Sequence, residues 1–479
     1  MTTGIPTRRT RAHARRSRAF SVGFAIVIAV LAAVALGGAT LTTLQGPRIT
    51  DVQFDPQAAI TSSGSRVILT TTQSLADIDP DQVHITPEAA FTVDTSGRSL
   101  GVRFALPLWD DTEYTITVTG VTGVGGGPAS TLTQTFTTPA LEAYLLQRGD
   151  GEAEDTIFRT DLDGDAAVPV YTNAHIEDFR ATASHLVIVT TGGDGSSRLV
   201  VTDLDGQDER ELTLPGTGMV TNLQSADRGN LIGYTFTDAS IGADGGREEA
   251  LFTTSLGAGA EDDEPTAIER EGGDSRVDDW RFVPGTDSIL MLTFDGALTL
   301  VSGGTTAAAP VALGNALTID GIARGSATAI VERADGLVAL DLSTGEDAAL
   351  PPADAPFDQS WEVLALPDGS GATLRIASDL AADGLTVLGT SAAVVDADGT
   401  TRTVFDVDPA DALLHMCVSP SGRYAAFLLA PDIVSNPYDT YLLPLPTRLQ
   451  THIVSLDDGA EVVALHGFGI SWCQSAPRG

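Results

Sequence analysis

A tight polar turn recurs seven times between Thr156 and the C-terminus, each copy carrying one β-rich run into the next. The turns are Asp161-Leu-Asp-Gly164, Asp203-Leu-Asp-Gly206, Ser255-Leu-Gly257, Ser302-Gly-Gly304, Asp341-Leu-Ser-Thr-Gly345, Asp396-Ala-Asp-Gly399 and Ser455-Leu-Asp-Asp-Gly459. They lie roughly 40 to 60 residues apart, the spacing of propeller blades. Apolar second strands (LVIVTT, LIGYTFT, ILMLTFD, ATAIVER, TLRIASD, YAAFLLA) precede the turns, and strands such as RELTL and EVVAL leave them. Expected inner strands are IEDFRA, SADRGN, DDWRFVP, TIDGIA, WEVLALP, LHMCVSP and GISWCQS. The first set, beginning at Ala143, lacks an inner strand, and GISWCQS at the C-terminus has no set of its own. Joining the two closes a ring and removes the exposed sheet edges. The expectation for residues 141–479 is therefore a seven-bladed β-propeller closed by the C-terminal strand.

Residues 47–139 alternate in strand fashion through RITDVQF, RVILTTT, QVHITP, LGVRFAL, EYTITVTGV and TLTQTFTTP, separated by turn-forming clusters. No helix-period stretch intervenes, so a β-sandwich is expected. The fold class is all-β apart from the N-terminus.

That N-terminus reads as an address. Arg8, Arg9, Arg11, Arg15, Arg16 and Arg18 make residues 1–19 a basic tail, followed by an apolar run at 20–41. At ~1.5 Å per residue such a run crosses a ~30 Å hydrocarbon core. The Arg cluster then stays cytoplasmic. The expectation is a single-pass anchor in the cytoplasmic membrane, N-terminus in, with everything after about residue 45 outside. Small residues at Gly37 and Ala39 leave open a signal peptide cleaved near Ala39 and a secreted product.

Beyond residue 47 the chain holds 21 Arg, no Lys and all 64 acidic residues of the sequence. So negative a surface repels nucleic acid and anionic lipid and attracts cations and basic partners. The absence of Lys removes Schiff-base and P-loop lysine chemistry.

Few residues carry chemistry. Cys417 and Cys473 occupy matching places in His415-Met-Cys417-Val-Ser419 and Ser471-Trp-Cys473-Gln-Ser475, strands that ring closure makes neighbours. Two cysteines in an exported domain favour a disulfide; two buried thiols, or a metal site with His415 and His466, are the alternatives. Acidic turns with Asp161, Asp163 and Asp165, and with Asp203, Asp205 and Asp208, offer alternate carboxylates to calcium. Asp-Gly is also the ordinary pair of a hairpin turn. The loop 431–450 is far longer than a hairpin needs, and its Tyr438, Tyr441, Leu442, Leu443 and Leu445 suit a partner surface or, alternatively, packing over its own blade. Arg148-Gly-Asp150 spells an adhesion tripeptide, for which chance and turn preference suffice.

Residues 47–139, through TEYTITVTGV and the terminal TFTTP, resemble bacterial Ig-like domains of the SbsA type, which implies a spacer or adhesive module. The turns in FVPGTDSILML, ALPDGSGATLRI and VSPSGRYAAFLL resemble the SPDG turn of TolB-like and WD40-like propellers. The Gly-His and Trp-Asp signatures of WD40 repeats are missing. That resemblance implies a ring that binds protein or ligand.

No G-x-S-x-G elbow, H-E-x-x-H, Walker loop or dinucleotide fingerprint is present, so enzymatic activity is not indicated. The expected function is a membrane-anchored extracytoplasmic binding or scaffold protein without an organic cofactor. Two alternatives stand beside it: a glycan-acting hydrolase or lyase using carboxylates at the propeller mouth, and a calcium or small-ligand sensor.

Overall fold

The computed structural model describes residues 20, 22–33, 45–149, 153–164, 167–227, 230–242, 245–257, 259–260, 263–270, 272–303, 309–367, 369–384 and 386–477. The chain divides into two compact units. The first takes in residues up to 55, 66–103 and 113–136; the second comprises 56–65, 104–112 and 137–479.

Residues 22–33 are helical, with apolar side chains exposed along them. Residues 21 and 34–41 of the expected span lie outside the described residues. Among the described residues no helix is long and apolar enough to cross a membrane.

The first unit is built from two antiparallel sheets. One orders Ile49–Gln53, Arg66–Thr71, Ser99–Phe104 and Phe91–Ser96; the other orders Val83–Thr86, Glu113–Val121 and Ser130–Thr137. Alternation decides which side chains go inward. Val67 and Leu69 are buried from one strand, and Tyr114, Ile116 and Val118 from another, while the residues between them are less covered. Tyr114 stacks on Phe136, whose ring lies 4.3 Å from that of Phe54. A short helix, Pro56–Thr61, corrects the expectation that no helix interrupts this stretch of sequence.

Among the described residues the second unit contains seven antiparallel sheets in succession. The last six each have four strands in sequence order, and the first has three: Glu142–Gln147, Asp155–Asp161 and Val168–Asn173. Meanders of this kind need only short connections, which the recurring Gly-containing turns supply. The innermost strands are Ile176–Ala181, Gly218–Ser225, Val277–Phe282, Thr318–Ile322, Glu362–Ala365 and Ala412–Val418. Each of the first four lies beside the next. The arrangement is propeller-like. The core lies between sheets: Val187, Val189 and Leu199 of the second pack with Ile232, Tyr234 and Phe236 of the third, and Trp280 fills the space between third and fourth.

Two strand assignments need correction. The innermost strand of the third sheet is Gly218–Ser225, to which SADRGN contributes only Ser225; Asp227 stands in a turn, and Arg228 and Gly229 lie outside the described residues. The C-terminal GISWCQS is not a strand. Instead Phe468 makes a single bridge to Leu146, and Ser471 exchanges hydrogen bonds with Tyr144 through its N–H (3.0 Å) and its side-chain oxygen (3.1 Å). Gly467 has φ +120°, and a Cβ there would meet the Leu146 carbonyl at 2.8 Å, so only glycine brings the chain this close. The Cys473 N–H then bonds back to Ile470, turning the chain out of register.

Cys417 and Cys473 form a disulfide with Cα atoms 5.4 Å apart. It is buried among Leu145, Tyr424, Ile453 and Trp472, joining the seventh sheet to the segment that covers the first. The bond closes a loop of 56 residues. Constraint of the unfolded chain by such a loop contributes about 4 kcal/mol on the entropic model. The double variant Cys417→Ala/Cys473→Ala is expected to lose about 2–4 kcal/mol in urea unfolding, with reduction of the native protein giving the same shift; an unchanged midpoint would show that the seam holds without it.

Candidate functional site at the mouth of the central cavity

Two innermost strands carry nearly the same tetrapeptide, Glu177-Asp178-Phe179-Arg180 and Asp278-Asp279-Trp280-Arg281. Each begins at a β-bulge. Ile176 pairs with Thr190 but Asp178 with Val189, and Val277 pairs with Thr293 but Asp279 with Leu292, leaving Glu177 and Asp278 as the extra residues. A bulge breaks the alternation, so two consecutive acidic side chains can serve one region. The aromatic residue that follows is buried in both copies.

The hydrogen bonding repeats as well. Asp178 accepts from the Phe179 N–H (2.8 Å) and from Arg180 Nη1 (2.7 Å), and Arg180 Nη1 also donates to the Phe179 carbonyl. Asp279 accepts from the Trp280 N–H (2.8 Å) and from Arg281 Nη1, which donates to the Trp280 carbonyl at 2.7 Å. In the sheet between them, Gln224 takes the arginine's place: its amide donates to Asn222 (3.0 Å) and to the Trp280 carbonyl (2.6 Å). Burial pushes the Asp178 carboxyl above the usual carboxylate range, against the pull of Arg180.

These strand starts meet at a cavity of about 420 Å³. Its polar wall holds Glu177, Asp178, Asp278 and Asp279 with one guanidinium, Arg281; Leu317, Leu442, Leu443 and Phe468 supply the apolar wall. The volume is that of a ligand site (~300–1,000 Å³). The ends of the same strands border smaller cavities, one of them bounded by Arg281, Asp320, His415 and Trp472.

Exposed apolar side chains gather at the end of the sheets where this cavity opens. Trp361 and Leu317 stand just before two innermost strands, and Phe294 just after a second strand. In the sixth sheet the second and third strands run past the first, where Leu380 pairs with Val387. Trp361 is 51% exposed and Leu388 58%. Among the described residues, outer strands at the opposite end expose the valines Val168, Val311 and Val462.

The loop 431–450 folds over the first two sheets and builds one side of the cavity. It makes its own narrow hairpin, with Tyr438 bridging Pro446 and the Asp439 N–H donating to the Leu445 carbonyl. Leu445 is buried with Leu146 and Phe468. Tyr441 donates to the Asp155 carboxylate at 2.8 Å and stacks on His175 at 4.0 Å. The Leu442 N–H donates to Glu177 (3.0 Å), and the Leu443 carbonyl accepts from Arg148 (3.0 Å). Arg148 ties these together: it is buried, pairs with Asp439 at 2.7 Å and Glu177 at 3.9 Å, and lies 3.8 Å from the Tyr441 ring centre. Tyr438 and Leu442 are left facing solvent.

Arg148 is therefore no adhesion tripeptide residue, and Asp150 lies outside the described residues. The acidic turns serve the chain itself. Asp161 accepts from the Asp163 N–H, and Asp203 from the Asp205 and Gln207 N–H groups. Asp205 pairs with Arg159 at 2.7 Å, Asp208 takes a left-handed φ of 54°, and Gly164 and Gly206 have positive φ, as hairpin turns require. Asp165 lies outside the described residues. Among the described residues no group of three or more His, Cys, Asp or Glu is placed to hold a metal. His415 borders the smaller cavity, and the disulfide leaves no thiol for it to join.

The duplicated acidic-acidic-aromatic-arginine run was readable in the sequence, since both copies fall in expected innermost strands. Its significance needs the fold, which brings both copies to one cavity wall.

No family model and no curated protein matches the chain. Solved structures similar to it include a provisionally named 6-phosphogluconolactonase of Bacteroides fragilis, at 12% identity over 69% of this chain and 96% of that one, TM-score 0.42. The Cps50 (Swd1) β-propeller domain of Myceliophteria thermophila aligns at 14% identity over 62% and 88%, TM-score 0.39. A provisionally named TolB of Agrobacterium tumefaciens aligns at 12% over 68% and 90%, TM-score 0.33. At these values the likenesses carry no argument about activity or ligand.

Removing one partner of a buried pair leaves the other uncompensated. Asp439→Asn is expected to cost about 3 kcal/mol in urea unfolding and to open the loop to protease near Tyr438. Burial, and then the Asp155 carboxylate, raise the Tyr441 hydroxyl above its ordinary value of 10.0. Above pH 10 the unfolded phenol ionises while the folded one keeps its proton, so stability falls as pH rises there. Tyr441→Phe is expected to unfold more easily at neutral pH by about 1–2 kcal/mol and to show a shallower alkaline loss, read by denaturant titration from pH 7 to 11.

Proposed function

We propose that this chain is an extracytoplasmic binding or scaffold protein, held to the membrane through residues 20–41. In this reading an Ig-like first unit acts as a spacer, and the seven sheets are blades of one closed propeller. One observation carries the reading: an acidic cavity opens at the end of the sheets where exposed large apolar residues gather, Trp361 and Leu388 among them. Isolated apolar residues on a surface are ordinary, but a set of them around a concave polar mouth is the anatomy of a recognition surface. The disulfide supports an oxidising compartment. The apolar run at 20–41, helical over 22–33, supports the anchor.

The partner surface is then the cavity end of the propeller. A photo-crosslinking residue placed at Leu388 in intact cells is expected to give a discrete adduct, and the same residue at Val462 none. Equal yields at both, or adducts only at Val462, would put the surface elsewhere.

A further inference from the structure

The cavity and its rim together specify what kind of partner enters. We infer that the cavity end of the second unit receives a basic peptide segment with apolar side chains, one Arg or Lys of which inserts between the Glu177-Asp178 and Asp278-Asp279 pairs. This inference deepens the scaffold reading and rests on it.

Charge complementarity is the first ground. Four carboxylates and a single guanidinium face the cavity. The bulges hold both acidic pairs in place, and Arg180 and Arg281 each lock one carboxylate of a pair by a bond within the same strand. Glu177 is held by His175 (2.6 Å) and by the Leu442 N–H. The carboxylates are thus fixed before any partner arrives, which lowers the ordering cost of binding. An entering cation meets four carboxylates only partly offset by Arg148, Arg180 and Arg281, in a concave site that focuses the field.

The second ground is extent. The apolar rim is not confined to the cavity: it runs from Phe294 in the fourth sheet through Leu317 and Trp361 to the Leu380–Leu388 end of the sixth. A small amine would fill the cavity and leave this rim bare. A chain segment covers both, with its cation at the centre and apolar side chains against Trp361 and Leu388, the aromatic anchor and polar centre expected of a hot spot. The acidity of the exported chain argues against nucleic acid and anionic lipid as occupants.

The test uses the full-length protein in detergent and three fluorescein-labelled synthetic peptides of equal length: alternating Arg/Leu, alternating Arg/Ser and alternating Glu/Leu. Fluorescence anisotropy is expected to show binding of Arg/Leu, roughly tenfold weaker binding of Arg/Ser, and none of Glu/Leu. Raising NaCl from about 50 to about 500 mM should weaken the Arg/Leu complex severalfold. Asp278→Asn and Trp361→Ala should each weaken it roughly fivefold or more. Asp398→Asn, an equal charge change in a turn at the opposite end, should not, which separates a site from general acidity. Both site variants alter exposed positions, and a thermal melt matching the parent verifies their fold.

Equal binding of Glu/Leu, or equal weakening by Asp278→Asn and Asp398→Asn, overturns the inference. So does the absence of Arg/Leu binding. A crosslink at Leu388 alongside absent peptide binding overturns this inference alone and leaves the scaffold reading standing; absence of both removes the two together.

Discussion

An antiparallel sheet with an uncovered edge is a template for pairing with any other chain. The second unit is arranged around covering one such edge. Among the described residues its first sheet has three strands, and Glu142–Gln147 would be an open inner edge without the bridge from Phe468 and the exchange between Tyr144 and Ser471. Those contacts are few, far fewer than a strand would make. The disulfide and the packing of Trp472 and Ile470 beside it supply what the missing ladder does not. The fixed position of Phe468 in turn shapes the cavity wall and lies 4.9 Å from Arg148.

Arg148 links the seam to the cavity wall. A buried guanidinium is tolerated only with partners, and its partners come from the second sheet and the long loop. Glu177 belongs to this cluster and to the cavity wall at once. The loop is therefore part of the site's frame: it places Leu442 and Leu443 on the cavity and helps fix the carboxylate of Glu177.

Much of the architecture was legible because turn chemistry and strand alternation are local. Gly206 and Gly459 mark turns that any reader of the chain can find, and Val187 or Leu290 announce buried second strands by their neighbours alone. The cysteine pairing was legible too, since Cys417 and Cys473 sit in matching sequence contexts. Other features were not. GISWCQS has strand-like composition, yet Gly467 and the turn at Cys473 prevent a ladder, and the innermost strand of the third sheet is GMVTNLQS, which shares only Ser225 with SADRGN. The long loop read either as a partner surface or as a cover for its own blade, but Tyr441 and Leu445 find partners near Asp155 and Leu146 of the first sheet, some three hundred residues away, which composition cannot reveal. The acidic tetrapeptides were visible as text; their convergence depends on sheets that the chain builds separately.

The seam has a consequence for how the molecule is made. Tyr144 and Ser471 are 327 residues apart, so the sheet formed first is finished last, by one of the longest loop closures the chain offers. As the chain emerges N-terminus first, six sheets can assemble in order while the edge of the first waits. A chain broken off before Phe468 is not a slightly shorter version of this protein. It leaves the edge of the first sheet bare and Cys417 without its disulfide partner. The edge of the earliest sheet is thus covered only when Phe468 and Ser471 arrive.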